Sequence, residues 1–224
     1  GGDTGGTSRD PIDDCMPYGH DSTQKGNNTL RICLSNIGGF PMEATDEKNN
    51  TIRQFVMEHE IDIPMWTETD KHWESLDFKD RLPARTNGWF ESLHMTTAYY
   101  KEYPGASRQQ YGGVSLWSTG HAAHRVKDAG IDLAAGVDRH GLGRWAWTRY
   151  QGRNGVSLRM VVAYRPVKNK TGAMSVWNQH KTYWEAHNVD TDPIVKFTSD
   201  LADEIKAWME QGDQIVLGLD VNED

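Results

Sequence analysis

Short apolar runs bounded by turn residues recur along this 224-residue chain, and they restrict it to a fold built on β-sheets. Runs of about four to eight apolar residues suit strands and are too short for typical helices. An Asn154-Gly155 pair separates two of the runs and is typical of a tight hairpin turn, so those two are predicted to be antiparallel. The runs predicted as strands are residues 30–35, 60–66, 111–117, 122–127, 145–150, 156–164 and 214–219.

Two segments with helical spacing lie between these runs. In residues 193–211, apolar side chains recur every three or four positions, Asp192 can cap the first turn, and Gly212 follows the last. Residues 45–60 show a similar pattern, whereas residues 70–110 are predicted to be an aromatic loop region. Apolar strands beside amphipathic helices indicate sheets covered by helices, so the predicted class is α/β, a mixed two-sheet β-sandwich flanked by helices.

The first 28 residues are predicted to be a flexible polar tail, because Gly, Ser, Thr, Asp and Asn dominate them. No basic segment followed by an apolar one marks a signal peptide, and no run approaches the roughly 18 apolar residues of a membrane span. Two cysteines, Cys15 and Cys33, are too few for a disulfide scaffold. We therefore expect free thiols and an intracellular location, without a membrane partner.

The charge is unevenly distributed in a chain whose net charge is −8. No Asp or Glu occurs from Arg139 to Trp184, although that stretch holds nine arginines and lysines. Such a cationic stretch could track a polyanion. It could equally be a sheet face whose acidic partners lie elsewhere in the sequence, and the sequence leaves both interpretations open.

Polar side chains follow three of the predicted strands at the point where each strand ends. Asn36 follows the first, Glu68 stands just beyond the second, and Asp220 and Asn222 follow the last. Polar residues at strand ends are well placed for a site in an α/β protein. Two carboxylates and two carboxamides suit a hard cation such as Mg²⁺, with Mn²⁺ as an alternative. Each residue taken alone is more simply a loop cap or a turn former.

Five segments of the chain carry a recognisable pattern. They are residues 30–40 (LRICLSNIGGF), 61–70 (IDIPMWTETD), 111–118 (YGGVSLWS), 160–167 (MVVAYRPV) and 212–222 (GDQIVLGLDVN). Together, and in this order, they resemble the endonuclease/exonuclease/phosphatase superfamily, whose fold is DNase I-like with four layers. Residues 143–150 (GRWAWTRY) and the helix ending before Gly212 further resemble the apurinic/apyrimidinic-type endonuclease domain of non-LTR retroelements. That resemblance implies a DNA endonuclease from a retroelement polyprotein and, in a eukaryote, a nuclear location.

The resemblance implies roles for individual residues. Glu68 would bind Mg²⁺ with Asn36 beside it, and Asp220 would activate the attacking water. Asn222 would orient the water or the scissile phosphate, and Tyr164 would contact the phosphate or assist the leaving group. Two arginines are predicted to bind substrate, because the guanidinium fork matches phosphate oxygens. They are Arg165 and Arg144.

This sequence departs from the superfamily pattern in two places. Gly38 stands where many relatives have Asp, and the chain stops at Asp224, before the expected Ser-Asp-His segment and the final strands. We therefore expect the domain, residues 29–224, to be incomplete at its C-terminus, and this fragment to bind metal weakly and to nick no DNA by itself. Clear Mg²⁺-dependent nicking that Glu68→Ala abolishes would contradict this expectation.

Three functions follow from these observations. The leading hypothesis is a Mg²⁺-dependent phosphodiesterase, an endonuclease that hydrolyses DNA. The second is a non-catalytic remnant that binds nucleic acid or a partner, and the third is a same-fold phosphatase acting on phosphoinositide or lipid substrates. The sequence leaves the substrate and the oligomeric state open.

Overall fold

The computed structural model describes residues 25–26, 28–102, 108–127, 134–168, 172 and 174–222. Most of the predicted polar tail, residues 1–24 and 27, lies outside the described residues, as does Cys15. No helix within the described ranges combines the length and the apolar character that crossing a membrane requires.

Eight strands in the described part of the chain form two mixed sheets of four strands each. The first sheet has the order β1-β2-β4-β3, and the second has the order β5-β6-β7-β8, with the strands numbered along the chain. One pair at the edge of each sheet is parallel, β1 with β2 and β7 with β8, whereas the other pairs are antiparallel. The strands are β1 (Ile32–Asn36), β2 (Ile63–Thr67), β3 (Leu93–Ala98), β4 (Val114–Thr119), β5 (Ala135–Val137), β6 (Trp145–Gln151), β7 (Ser157–Tyr164) and β8 (Asp213–Asp220).

Five α-helices accompany the sheets in the described residues, together with three short 3₁₀ segments. Asp46, Ser175 and Asp192 cap three of the helices, each accepting a hydrogen bond from a backbone N–H in the first turn. The cap at Asp192 confirms the predicted start of the longest helix. The helices are α1 (Glu47–Glu58), α2 (Leu82–Arg85), α3 (Gly120–Lys127), α4 (Val176–Ala186) and α5 (Pro193–Glu210).

Three apolar clusters give the molecule four layers. Between the sheets, Met65 and Leu116 of the first sheet pack with Met160 and Val162 of the second. Outside the first sheet, α1 packs on the opposite faces of β2 and β4. Outside the second sheet, α5 packs on β6 and β7 through its apolar stripe. This helix–sheet–sheet–helix order confirms the predicted two-sheet sandwich flanked by helices.

The structure corrects the predicted elements in three places. Residues 122–127, predicted as a strand, belong to α3, where Ala122, Ala123 and Val126 are buried at helical spacing. The aromatic stretch 70–110 contains β3, which pairs with β4. The cationic stretch contains α4, which no apolar run marks because its buried residues include Gln179 and His180.

The strands β1 and β8 lie at the open edges of their sheets, next to each other along one side of the sandwich. Their apolar side chains stay accessible, with Ile32 39%, Leu34 41% and Val216 36% exposed. The core between the sheets is therefore less covered here than at the central strands. The carboxyl ends of both parallel pairs lie at the same end of the sandwich.

Candidate functional site

Four strand ends meet at one end of the sandwich because the parallel pairs are in register. Asn36 is opposite Thr67 at the ends of β1 and β2, and Tyr164 is opposite Asp220 at the ends of β7 and β8. Side chains from both sheets can therefore reach a common space at this end. Glu68 follows directly after β2 and enters the same space.

Two hydrogen bonds join the sheets at Asp220. The Asn36 amide donates from Nδ2 to Asp220 Oδ2 at 3.1 Å, and the Thr67 hydroxyl donates to the same oxygen at 2.8 Å. The partners are 184 and 153 residues apart in the sequence. The structure thus brings together Asn36 and Asp220, two of the polar residues that were predicted to follow strands. Thr67 was not predicted, because nothing in the sequence distinguishes it from the other residues of the strand. Its side chain is fully buried.

Glu68 is held from two sides. The Tyr164 hydroxyl donates to its Oε1 at 2.9 Å, and the Gly39 amide donates to its backbone oxygen at 2.7 Å. Burial raises the pKa of Tyr164, and the Glu68 carboxylate raises it further, so the phenol stays protonated and remains a donor. Glu68 has φ +51°, a left-handed conformation that is uncommon for a residue with a side chain and often marks a functional position.

The loop after β1 fixes the orientation of Asn36. The Gly38 amide donates to Asn36 Oδ1 at 3.0 Å, which leaves Nδ2 to donate to Asp220. The Lys48 ammonium donates to the carbonyl oxygens of Ile37 and Gly39, at 2.7 and 2.6 Å. Lys48 was not predicted, since a lysine in the first turns of a helix is unremarkable in sequence. It holds the loop on which Asn36 depends.

Arg165 lies beside Asp220, as predicted from its position after β7, and it contacts the backbone of the segment after β8. Its guanidinium donates to the carbonyl oxygens of Val221 and Asn222, at 2.6 and 2.9 Å. In return, the Asn222 amide donates to the Arg165 carbonyl oxygen at 3.0 Å. Arg165 therefore ties the segment after β8 to the segment after β7 and positions Asp220 and Asn222.

Arg144 is not part of this group, and its position does not fit the predicted contact with substrate. The side chain is 1% exposed and pairs with Asp138 and Asp200, with Arg144 Nη1 2.9 Å from Asp200 Oδ2. Its guanidinium also lies over the ring of Trp145, at 4.3 Å from the centroid. Arg144 therefore helps to pack the second sheet against α5, through its contacts with Asp200 and Trp145.

Four arginines in the described part of the cationic stretch have acidic partners within the molecule. Within the described residues, Arg139 and Arg144 pair with Asp200, while Arg149 and Arg159 pair with Asp213. Both acidic partners come from later in the sequence. Of the two open interpretations, the structure favours a sheet face whose acidic partners lie elsewhere over a track for a polyanion. Lys170 lies outside the described residues.

Asp70 is a further acidic residue beside the site that sequence reasoning passed over. Its Oδ1 accepts a hydrogen bond from the Gly112 amide at 2.7 Å, and its backbone has φ +52°. Burial and the Glu68 carboxylate raise the pKa of Asp70, and the Gly112 hydrogen bond limits the rise, to about 6. Asp70, Glu68 and Tyr164 line a cavity of about 340 Å³.

The donor set at the strand ends fits a hard divalent cation. No three His, Cys, Asp or Glu side chains in the described ranges are close enough to hold a metal by themselves. Mg²⁺ does not need such a cluster, because it usually keeps several waters and binds through one or two carboxylates. Glu68 and Asn36 offer oxygen ligands of the required type next to Asp220.

Comparison with known proteins finds no matching family model and no match among curated proteins. Among solved structures, the chain is similar to an AP endonuclease from Archaeoglobus fulgidus, with 10% identity and a TM-score of 0.36. That match covers 71% of this chain and 49% of the other. An endonuclease/exonuclease/phosphatase family protein from Leptotrichia buccalis C-1013-b matches with 10% identity and a TM-score of 0.39. This second match covers 70% of this chain and 63% of the other, so the chain spans less than two thirds of either protein.

Proposed function

We propose that this chain carries the metal-binding part of a Mg²⁺-dependent phosphodiesterase that acts on nucleic acid. The observation that carries the proposal is the meeting of Asn36, Thr67 and Asp220 across the two sheets, next to Glu68. Such long-range convergence of carboxylates and amides is what a divalent-ion site in this architecture requires. The sequence motifs that resemble the endonuclease/exonuclease/phosphatase superfamily support the same proposal.

Each residue takes a role that its contacts allow. Glu68 and Asn36 supply oxygen ligands for Mg²⁺, which when bound would neutralise charge on a phosphodiester. Asp220 accepts the proton of the attacking water, with its Oδ2 fixed by the donors from Asn36 and Thr67. Tyr164 donates its hydroxyl proton to Glu68 Oε1 and so orients this ligand. Arg165 serves as a positioning residue rather than as a phosphate ligand.

DNA is the leading substrate within this proposal. The support is the resemblance of residues 143–150 and of the helix before Gly212 to retroelement endonuclease domains, which favours nucleic acid over an inositol or lipid headgroup. The internal neutralisation of the cationic stretch removes one argument for a long polyanion track. Binding would therefore depend on the metal site rather than on that stretch.

Metal binding provides the first test. Mn²⁺ bound to the purified chain is measured by electron paramagnetic resonance, with Mg²⁺ as competitor, for the wild type and Glu68→Gln. We expect Glu68→Gln to weaken binding at least about tenfold, because an ionised ligand is lost. Glu58→Gln, an exposed change at the end of α1, is the matched control. Equal Mn²⁺ affinity in all three proteins would overturn the proposal.

Hydrolysis provides the second test and separates the enzyme from a non-catalytic binding module. The gene is read beyond residue 224, and nicking of supercoiled plasmid by its full product is assayed with and without Mg²⁺. A downstream Ser-Asp-His segment and nicking that Asp220→Ala abolishes would support the enzyme. A stop codon, with metal-dependent DNA binding retained, would instead support a remnant that binds nucleic acid.

A further inference from the structure

A cavity of about 440 Å³ opens beside β3, outside the first sheet. Among the described residues, it shares no lining side chain with the cavity beside Glu68. Its volume lies within the range of about 300–1,000 Å³ that is usual for ligand pockets. The cavity is therefore large enough for a small molecule, and it is separate from the proposed metal site. Its lining includes Trp73, Glu74, Arg81, Leu82, Met95 and Tyr99.

Most of the cavity wall is apolar and is packed from behind. Leu82 and Trp73 are buried and Met95 is half-buried, and all three belong to the apolar cluster outside the first sheet. The Trp73 ring contacts Phe40, with ring centroids 5.4 Å apart, and the Arg85 guanidinium lies 5.5 Å from its ring centroid. These contacts hold the wall in place before any ligand arrives. A flat or short apolar group suits such a wall.

Two side chains that line the cavity can donate hydrogen bonds to a ligand. The Trp73 indole N–H is buried and has no hydrogen-bond partner within the described residues. Arg81 donates from Nε to the Leu76 carbonyl oxygen at 3.1 Å and from Nη2 to the Glu74 carbonyl oxygen at 2.9 Å. These two bonds fix the guanidinium and leave its Nη1 to bind a ligand. A buried donor without a partner has lost its hydrogen bond to water, so it favours a ligand that brings an acceptor.

The Glu74 carboxylate also lines the cavity, but other groups engage its charge. Its Oε1 is 3.9 Å from the Lys101 ammonium, and the side chain is 59% exposed to water. Burial raises the pKa of Tyr99, and a hydrogen bond with Glu74 raises it further, so the phenol stays protonated and donates to Glu74. The positive charge of Arg81 therefore remains available to a ligand.

We propose that this cavity binds a small aromatic carboxylate. The ring would lie among Leu82, Met95 and the Trp73 indole, and the carboxylate would accept hydrogen bonds from Arg81 Nη1 and the Trp73 N–H. The two donors, one of them charged, require an acceptor that is preferably anionic, and the apolar wall requires a ring or short chain attached to it. This binding site goes beyond the proposed function and does not depend on it.

Nuclear magnetic resonance of the indole N–H groups tests the proposal, with 3-phenylpropionate as the probe. The chain has nine tryptophans, and Trp73→Phe identifies the Trp73 signal by its loss. We expect 3-phenylpropionate to shift the Trp73 signal in a saturable manner. The uncharged 3-phenylpropan-1-ol should bind about tenfold more weakly, because its hydroxyl cannot form the charge-assisted bond to Arg81. A Trp73 signal that 3-phenylpropionate does not shift would overturn the proposal.

Substitutions locate the probe within the cavity. Arg81→Gln should weaken 3-phenylpropionate binding about tenfold and leave the alcohol unchanged, because only the charge is lost. Arg125→Gln, at an exposed position of α3, is the matched control and should change neither affinity. Met95→Trp fills the cavity and should abolish the binding of both probes, whereas Met57→Trp, at a 53% exposed position of α1, should not. Unchanged 3-phenylpropionate binding in Arg81→Gln would overturn the proposal.

The comparison of the two probes separates binding from a structural role of Arg81. A variant that only loosens the cavity would weaken the acid and the alcohol equally, and this result for Arg81→Gln would also count against the proposal. Circular dichroism verifies that each variant keeps the fold, and if Met95→Trp unfolds, the two probes with Arg81→Gln still decide the question. Mn²⁺ affinity should be the same in Arg81→Gln and the wild type, so failure here leaves the proposed function intact.

Discussion

Asp213→Asn is expected to be one of the most destabilising single changes in the second sheet. The Asp213 side chain is fully buried and lies between two arginines. Oδ1 accepts from Arg149 Nε at 2.9 Å, and Oδ2 accepts from Arg159 Nε and Nη2 at 2.9 and 2.7 Å. Arg159 in turn lies over the rings of Trp147 and Trp208, at 4.0 and 4.6 Å.

The expected loss of folding free energy is large because the Asp213 carboxylate and the Arg159 guanidinium are both buried. Arg159 is 4% exposed, and burial lowers its pKa without neutralising it, so the guanidinium stays charged when Asp213 loses its charge. Removing one partner of a buried pair typically costs about 3–5 kcal/mol, because an uncompensated charge remains. The asparagine NH₂ would also face guanidinium donors. For a domain of this size, that loss corresponds to a fall in Tm of about 6–20 °C.

Urea unfolding followed by circular dichroism, with parallel calorimetric Tm measurements, provides the assay. Glu185→Gln is the matched control, because it removes the same kind of charge from an exposed pair in α4. Lys181 Nζ and Glu185 Oε1 are 3.6 Å apart, and the two side chains are 47% and 62% exposed. Exposed pairs one helical turn apart contribute about 0.3–0.5 kcal/mol, so Glu185→Gln should change Tm by at most about 2 °C.

Similar, small losses in both variants would refute this reasoning. They would mean that the arginines of the cationic stretch gain little from their internal partners. These arginines would then be free to turn towards a polyanion, and the interpretation of the stretch as internally neutralised would be wrong.

Three further predictions concern the site and its surroundings. Tyr164→Phe removes the hydrogen-bond donor to Glu68 and should weaken Mn²⁺ binding about tenfold, because loss of a group that orients a metal ligand typically has this effect. Equal Mn²⁺ affinity of wild type and variant in titration calorimetry would contradict this prediction. Gly38→Asp should strengthen Mn²⁺ binding relative to Gly38→Asn, because both share the strain at φ +54° in open space and only Asp adds a carboxylate beside Asn36. Burial and the neighbouring Arg144 lower the pKa of His180 to about 4 in the folded protein, whereas its pKa in the unfolded chain is about 6.5. Between pH 4 and pH 6.5 the unfolded chain therefore binds more protons than the folded protein does. Stability from His180 is therefore complete above pH 6.5 and falls by about 3 kcal/mol as the pH drops to 4; an NMR titration of the His180 ring with a midpoint near 6.5 would exclude this.

The sequence by itself determined the elements whose pattern is local. The Asp192 cap and the apolar stripe after it define α5, and Asn154-Gly155 defines the hairpin between β6 and β7. Both signals arise from backbone preferences over a few residues. The sequence also marked Asn36, Glu68 and Asp220, because each follows an apolar strand and carries a group able to bind metal or move a proton. Tyr164 was marked only by the resemblance of its segment to the superfamily.

Tertiary packing decided the elements and roles that depend on distant partners. Residues 122–127 read as a strand in isolation, yet they form a helix because Ala122, Ala123 and Val126 bury one face against strands of both sheets, β3, β4 and β6. Arg144 resembled a phosphate ligand, and only the fold placed Asp138 and Asp200 around it. A charge pattern along the sequence cannot show which charges will be paired, since pairing depends on contacts between residues far apart.

The site itself combines both kinds of information. Which residue types could bind a metal was readable from the chain, because chemistry belongs to the side chain. That Thr67 and Asn36 donate to one oxygen of Asp220 depended on the register of two parallel strand pairs in different sheets. That Asp70 lines the adjoining cavity depended on its contact with the distant Gly112. Register and sheet packing are set by the burial of whole faces, and no short segment of sequence contains that information.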